Sequence, residues 1–113
     1  MHLEERIKGE VAVLSLSGEL LDDEDQTVLE QEIISLTTDN IRKIVMDFGK
    51  LNHINSQGLA ALLSAMKSVR DSGGDIRIAG LDGHLLNIFA MTKLVRIFDS
   101  YETVGRALAS YSH

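Results

Sequence analysis

Residues 44–79 constrain the fold of this chain more than any other stretch. Ile44-Val45-Met46 is a continuous apolar run that ends at Asp47-Phe48. A strand that is apolar without alternation is covered on both faces, as strands of parallel sheets are. An amphipathic pattern follows. Leu59, Leu62, Leu63, Met66 and Val69 form one stripe, and Lys67, Arg70 and Asp71 fall on the other side. Gly73-Gly74 ends this helix, because glycine tolerates the positive φ of a helix C-terminus. Ile76-Arg77-Ile78-Ala79 is a second strand. Strand, helix and strand make a βαβ unit, so the two strands should be parallel, joined by a right-handed crossover.

The flanking segments extend this unit in both directions. Leu3 to Lys8 reads as a short edge strand and Gly9-Glu10 as a turn. Val11 to Ser17 alternates in part, with Ala12, Leu14 and Leu16 on one face, which suits a strand buried on one side. Gly18 closes it, and the pair forms a hairpin. Asp22-Asp23-Glu24-Asp25 suits the first turn of a helix, where free N–H groups and the dipole favour carboxylates. Leu29, Ile33 and Leu36 continue that helix, and Thr37 to Asn40 ends it. A loop from Gly49 to Ile54 leads into the βαβ helix. Beyond Ala79, Asp82 caps a short helix containing Leu85, Leu86, Ile88 and Phe89. Val95 to Phe98 reads as a last strand. Ser100 then caps a helix that carries Val104, Ala107, Leu108 and Tyr111 on one face. The order ββαβαβαβα predicts one α/β domain over residues 1–113, with a mixed, mainly parallel sheet and helices mostly on one face.

Composition removes several classes of function. Lys and Arg number 11 against 17 Asp and Glu, a formal charge of −6. That balance opposes direct nucleic-acid binding, which draws affinity from cations that neutralise phosphates. It also opposes a polybasic membrane anchor. There is no Cys, so disulfides, thiolate metal ligands and thiol catalysis are excluded. The longest uncharged apolar stretch, Ile54 to Met66, falls short of the roughly 20 residues of a membrane span. No secretory signal is visible at the N-terminus, and a cytoplasmic protein is expected. His2, His53, His84 and His113 are scattered without a ligand-pair spacing. The acidic run lacks the alternating spacing of a calcium loop. Neither a metal nor a cofactor is expected, and no residue constellation suggests an enzyme.

The informative place is the junction between Asp47 and Gly58. A buried strand ends there and a helix opens, with Asn55-Ser56-Gln57-Gly58 between. Free N–H groups at a helix start favour a negative group. Phosphorylation of a hydroxyl there would add about two negative charges and remodel the surface. The plainer reading is that Ser56 or Asn55 caps the helix.

Ile44-Val45-Met46-Asp47-Phe48, Ile54-Asn55-Ser56-Gln57-Gly58-Leu59 and Gly73-Gly74 together resemble the STAS domain, and within it the bacterial anti-sigma-factor antagonists. Gly18-Glu19-Leu20 and Ile97-Phe98 match further pieces, so the resemblance spans nearly the whole chain. It implies partner switching without catalysis by the domain. The unmodified antagonist binds an anti-sigma factor with a serine-kinase fold, and phosphorylation of the Ser or Thr before the Gly ends the binding.

This chain departs from that pattern at the switch. Gln57 holds the acceptor position, and an amide cannot accept a phosphoryl group. Asn55 stands where the family has Asp, and Ser56 matches the first Ser. Three readings stay open: an antagonist fixed in its binding state, modification at Ser56 or another hydroxyl, or a STAS scaffold or sensor within a larger signalling or transport complex. Ser56 is expected at the N-cap with its oxygen occupied, which places its modification below loss of the switch. The expected partner surface comprises Asn52, His53, Asn55, Ser56, Gln57, Gly58 and Leu59, together with the start of the acidic helix. A homo-oligomer built on Leu85, Leu86, Phe89 and Met91 belongs to the scaffold reading.

Overall fold

The structure is a computed structural model that describes residues 1–112; His113, one of the four scattered histidines, lies outside the described residues. The N-terminal hairpin joins β1 (His2–Lys8) to β2 (Val11–Leu20) through Gly9, whose φ is 64°. Then follow α1 (Asp23–Thr38), β3 (Lys43–Ile54), α2 (Ser56–Asp71), β4 (Asp75–Ala79), α3 (Gly83–Met91), β5 (Ser100–Tyr101) and α4 (Val104–Ser110). The sheet order is β1-β2-β3-β4-β5, antiparallel between β1 and β2 and parallel elsewhere. The mainly parallel mixed sheet expected from the strand–helix alternation is therefore present.

Two apolar layers sandwich the sheet. The larger packs Leu29, Ile33 and Leu36 of α1, Leu62, Met66 and Val69 of α2, and Leu85 and Phe89 of α3 against Leu14, Leu16, Ile44, Met46 and Ile78. The smaller lies on the opposite face, where Ala107 of α4 covers Val11, Val13, Val45 and Ala79. The start of β2 is thus buried on both faces, not on one. Tyr111 locks α4 down, with its hydroxyl 2.9 Å from the Ile44 carbonyl and 2.8 Å from the Asp75 carbonyl. The Arg77 guanidinium lies 4.0 Å from the centre of the Tyr111 ring. Burial, then the Asp75 carboxylate, push the Tyr111 phenol well above its usual range.

Several boundaries differ from the sequence expectation. The segment Gly49 to Ile54 is not a loop; β3 continues through it and pairs with β2 as far as Leu20↔Ile54. Two irregularities in that pairing each place one extra residue in β3, and Gly18, with φ of 85°, stays paired with Leu51 and does not end β2. Val95 to Phe98 is not a strand. Leu94 and Phe98 are buried while the residues between them are exposed, which is the spacing of one helical turn. Residues Leu94–Arg96 form a 3-10 turn after Lys93, whose φ is 63°. The last strand is Ser100–Tyr101, so Ser100 caps nothing; Thr103 caps α4 by accepting the Arg106 N–H at 3.1 Å. Leu63 leaves the buried stripe of α2 and faces solvent, and Ala61 and Ala65 take the inner positions. Phe89 meets Phe48 and Phe98 edge-on at 6.2 and 6.1 Å, which pins α3 and the 3-10 turn to the end of the sheet that carries the candidate site.

Candidate docking site at the start of α2

The site forms where the parallel strands end and their following helices begin. Asn55 is extended, with φ −100° and ψ −175°, and is the N-cap of α2. Its side-chain oxygen accepts the Gly58 N–H at 2.9 Å, and its amide donates to the Leu21 carbonyl at 2.9 Å. One side chain thereby starts the helix and ties it to the end of β2. The expectation that Ser56 is the cap is corrected. Ser56 is the first helical residue and is exposed. Asn55 wins because its longer side chain satisfies the helix and Leu21 together, which a serine hydroxyl cannot span. Ser56 therefore plays no part in capping α2.

Gly58 is buried. A Cβ there would meet the Leu20 carbonyl and the Ile54 side chain, so only glycine lets α2 approach β2 this closely. Gly58 therefore presents no surface of its own, and Leu59 is half-buried against the core. Asn52 and Gln57 are exposed and His53 is half-buried.

The acidic run sits beside this edge. Asp22 caps α1 by accepting the Asp25 N–H at 2.9 Å. Asp25 accepts the Leu21 N–H at 3.0 Å, the Asp22 N–H at 3.4 Å and the Met1 ammonium at 3.0 Å. Burial alone would raise the Asp25 carboxyl, but these donors outweigh it and hold its pKa below the ordinary value. Asp25 is therefore structural, while Asp22, Asp23 and Glu24 are exposed. Asp82, by contrast, occupies the cap position of α3 without a side-chain capping bond.

Gln57 connects the two helix starts. Its amide donates to the Asp23 carboxylate and lies 3.4 Å from Gln26 Oε1. The acidic helix start and the Asn55–Leu59 segment are thus one continuous edge. Of the expected residues, Asn55, Ser56 and Gln57 lie on the helix-start side of this edge, while Asn52 and His53 belong to the end of β3 that leads into it.

One member lay beyond sequence reasoning. His84, in the first turn of α3, places its Nε2 2.8 Å from His53 Nδ1. The two are 31 positions apart, and only the adjacency of β3 and β4 brings them together. Leu86 and Met91 of α3 are exposed whereas Leu85 and Phe89 are core residues, so the apolar group considered for self-assembly is split between surface and interior. No group of three or more acidic or histidine side chains among the described residues is placed to hold a metal. No helix among them is long and apolar enough to cross a membrane.

Residues 2–107 match the model of the STAS domain. The chain belongs to the STAS domain family. A STAS relative from Bordetella bronchiseptica, BtrV, bears the name of an anti-sigma factor antagonist; it is 28% identical over 83 residues, 74% of this chain and 72% of BtrV. Among solved structures, an anti-sigma factor antagonist from Thermotoga maritima superposes with a TM-score of 0.89 at 20% identity, covering 98% of this chain and 95% of that one. The phosphorylated form of the Bacillus protein SpoIIAA gives 0.75 at 17% identity, covering 97% and 99%. At such identities these structures share the STAS fold with this chain.

Proposed function

We propose that this STAS domain is a docking module of the anti-sigma-factor-antagonist type, fixed in its binding-competent state. It binds an anti-sigma factor with a serine-kinase fold and takes part in partner switching in the cytoplasm. It performs no catalysis, holds no cofactor and acts on transcription only through its protein partner, in keeping with its charge of −6.

The observation that carries this reading is the bond from the Gln57 amide to the Asp23 carboxylate. In the resemblance described above, Gln57 stands at the position of the phosphoacceptor. Here that position holds a neutral group already engaged with the acidic helix start. A phosphate in its place would face the Asp23 carboxylate and be repelled by it. Gln57 instead supplies two amide hydrogens to the edge and keeps it assembled. SpoIIAA, a relative in fold, is known in a phosphorylated form, which supports the general idea of a switch that this chain has lost at Gln57.

The test has two arms. Immobilised protein is offered the kinase-like anti-sigma factors of the source organism. A stable complex with one of them is expected, weakened by Gln57→Glu. Intact mass after incubation with that partner and Mg-ATP should be unchanged, and Gln57→Ser should gain one phosphate. Binding to none of these factors refutes the docking role. Stoichiometric phosphate on Ser56 of the native chain refutes the fixed state.

A further inference from the structure

We infer that His53 and His84 form a proton-operated clasp between the end of β3 and the first turn of α3. Their facing nitrogens are 2.8 Å apart, the ring centres are 5.1 Å apart and the ring planes differ by 22°. The centre-to-centre distance equals the nitrogen separation plus one ring radius at each end. The rings therefore lie edge to edge and nearly coplanar, with both nitrogen lone-pair directions on one line. This is an in-line hydrogen bond between imidazoles, not a stack of ring faces.

Such a bond holds one proton. With both rings neutral, one nitrogen donates and the other accepts. Adding one proton at an outer nitrogen leaves the bond intact. Adding a second sets N–H against N–H between two cations, and the bond must open. The same geometry disfavours a chelated divalent ion, whose ligands must converge on it at an angle. No third acidic or histidine ligand joins the pair among the described residues.

The surroundings leave the clasp as the main side-chain tie of the α3 start. Asp82 makes no capping bond, so the first turn of α3 lacks a side-chain cap. Deeper in, Leu85 and Phe89 are buried, which confines any opening to that turn. The charged groups around the pair are few. Glu19 of β2 is the strand partner of His53, Asp82 lies two residues before His84, and Lys50 is the nearest charge along β3. α2 has no charged side chain before Lys67, and α3 has no titratable group besides His84. Glu19 and Asp82 offset positive charge on the rings but cannot remove the clash of two N–H groups.

The inference does not depend on the docking reading. If that reading holds, the clasp borders Asn52 and Asn55, and acid loosens one wall of the docking edge.

The experiment is an NMR titration of the native chain from pH 8 to pH 5, following both imidazole rings and the exchange protection of the Leu86 and Asn87 amides. Protonation of either ring should move the resonances of both, and acid should lower protection by about threefold to tenfold, the loss of one exposed hydrogen bond. In His84→Asn and His53→Gln the remaining ring should titrate in one step, and protection should sit at the low value across the range. The amides of α1 and β2 report whether each variant is folded. Independent titration of the two rings in the native chain overturns the inference. So does a pH-dependent loss of protection that survives in both variants.

Discussion

Replacing Asn55 separates the two tasks that its side chain performs. Its oxygen caps α2 through the Gly58 N–H, and its amide holds the Leu21 carbonyl, each at 2.9 Å. Losing an N-cap side chain costs about 1 kcal/mol. Losing a hydrogen bond to a half-buried carbonyl costs about 1 kcal/mol more. Asn55→Ala removes both and should destabilise the domain by about 2 kcal/mol. Asn55→Ser keeps a competent cap oxygen but cannot reach Leu21, so its loss should be about 1 kcal/mol. Urea unfolding at 25 °C followed by circular dichroism measures both, provided the denaturant slope is unchanged. Thermal midpoints should fall by roughly 4 °C for each kcal/mol in a chain of this size. Equal losses in the two variants would show that the Leu21 bond contributes nothing. A loss under about 0.5 kcal/mol in Asn55→Ala would refute the cap itself.

Glu32 of α1 has its pKa raised, by burial first and then by the neighbouring Glu5 carboxylate on β1. A raised carboxyl pKa means that the native state holds the proton more tightly than the unfolded chain does. Stability is then complete below the ordinary carboxylate range and declines as pH rises through the folded value. Glu32→Gln should therefore stabilise the domain at pH 7 by less than about 1 kcal/mol and leave stability at pH 4 nearly unchanged. Asp25 behaves oppositely: with its pKa lowered, its contribution is present above the ordinary carboxylate range and is lost as pH falls through the folded value. Asp25→Asn should be less stable than the native chain at pH 7, and the gap should shrink as pH falls toward 3 in the same urea assay. Tyr111→Phe removes the hydroxyl that meets the Ile44 and Asp75 carbonyls, and should cost about 1–2 kcal/mol. Hydrogen exchange should show the loss concentrated in α4, with α1 and α2 unaffected.

The local patterns were legible wherever a residue's role depends on its own neighbours in the chain. The carboxylates of residues 22–25 start a helix because free N–H groups lie within one turn of them. Ile44-Val45-Met46 is a central strand because three successive apolar residues need cover on both faces. The Asn55–Leu59 segment opens a helix at the end of that strand, as the spacing required. Boundaries were less legible where packing overrode local signals. Gly18 and Gly49 look like chain stops, yet the pairing of β2 with β3 runs through both. Val95 to Phe98 has the composition of a strand, yet the pocket beside Phe89 selects Leu94 and Phe98 and winds the segment into a turn.

Residue order alone carries the STAS fold, the acidic run at residues 22–25 and the amide at Gln57. These are one-dimensional facts: periodicity, charge and residue identity. Packing in space settled what the edge is made of. It chose Asn55 over Ser56 as the cap, because Leu21 sits within reach of the longer side chain. It set Gln57 on Asp23 and His53 on His84, pairs 34 and 31 residues apart. A hydrogen bond forms over about 3 Å of space and is indifferent to distance along the chain. The parallel strands bring the loop ends to one side of the sheet, and that placement turns separate polar residues into a single surface.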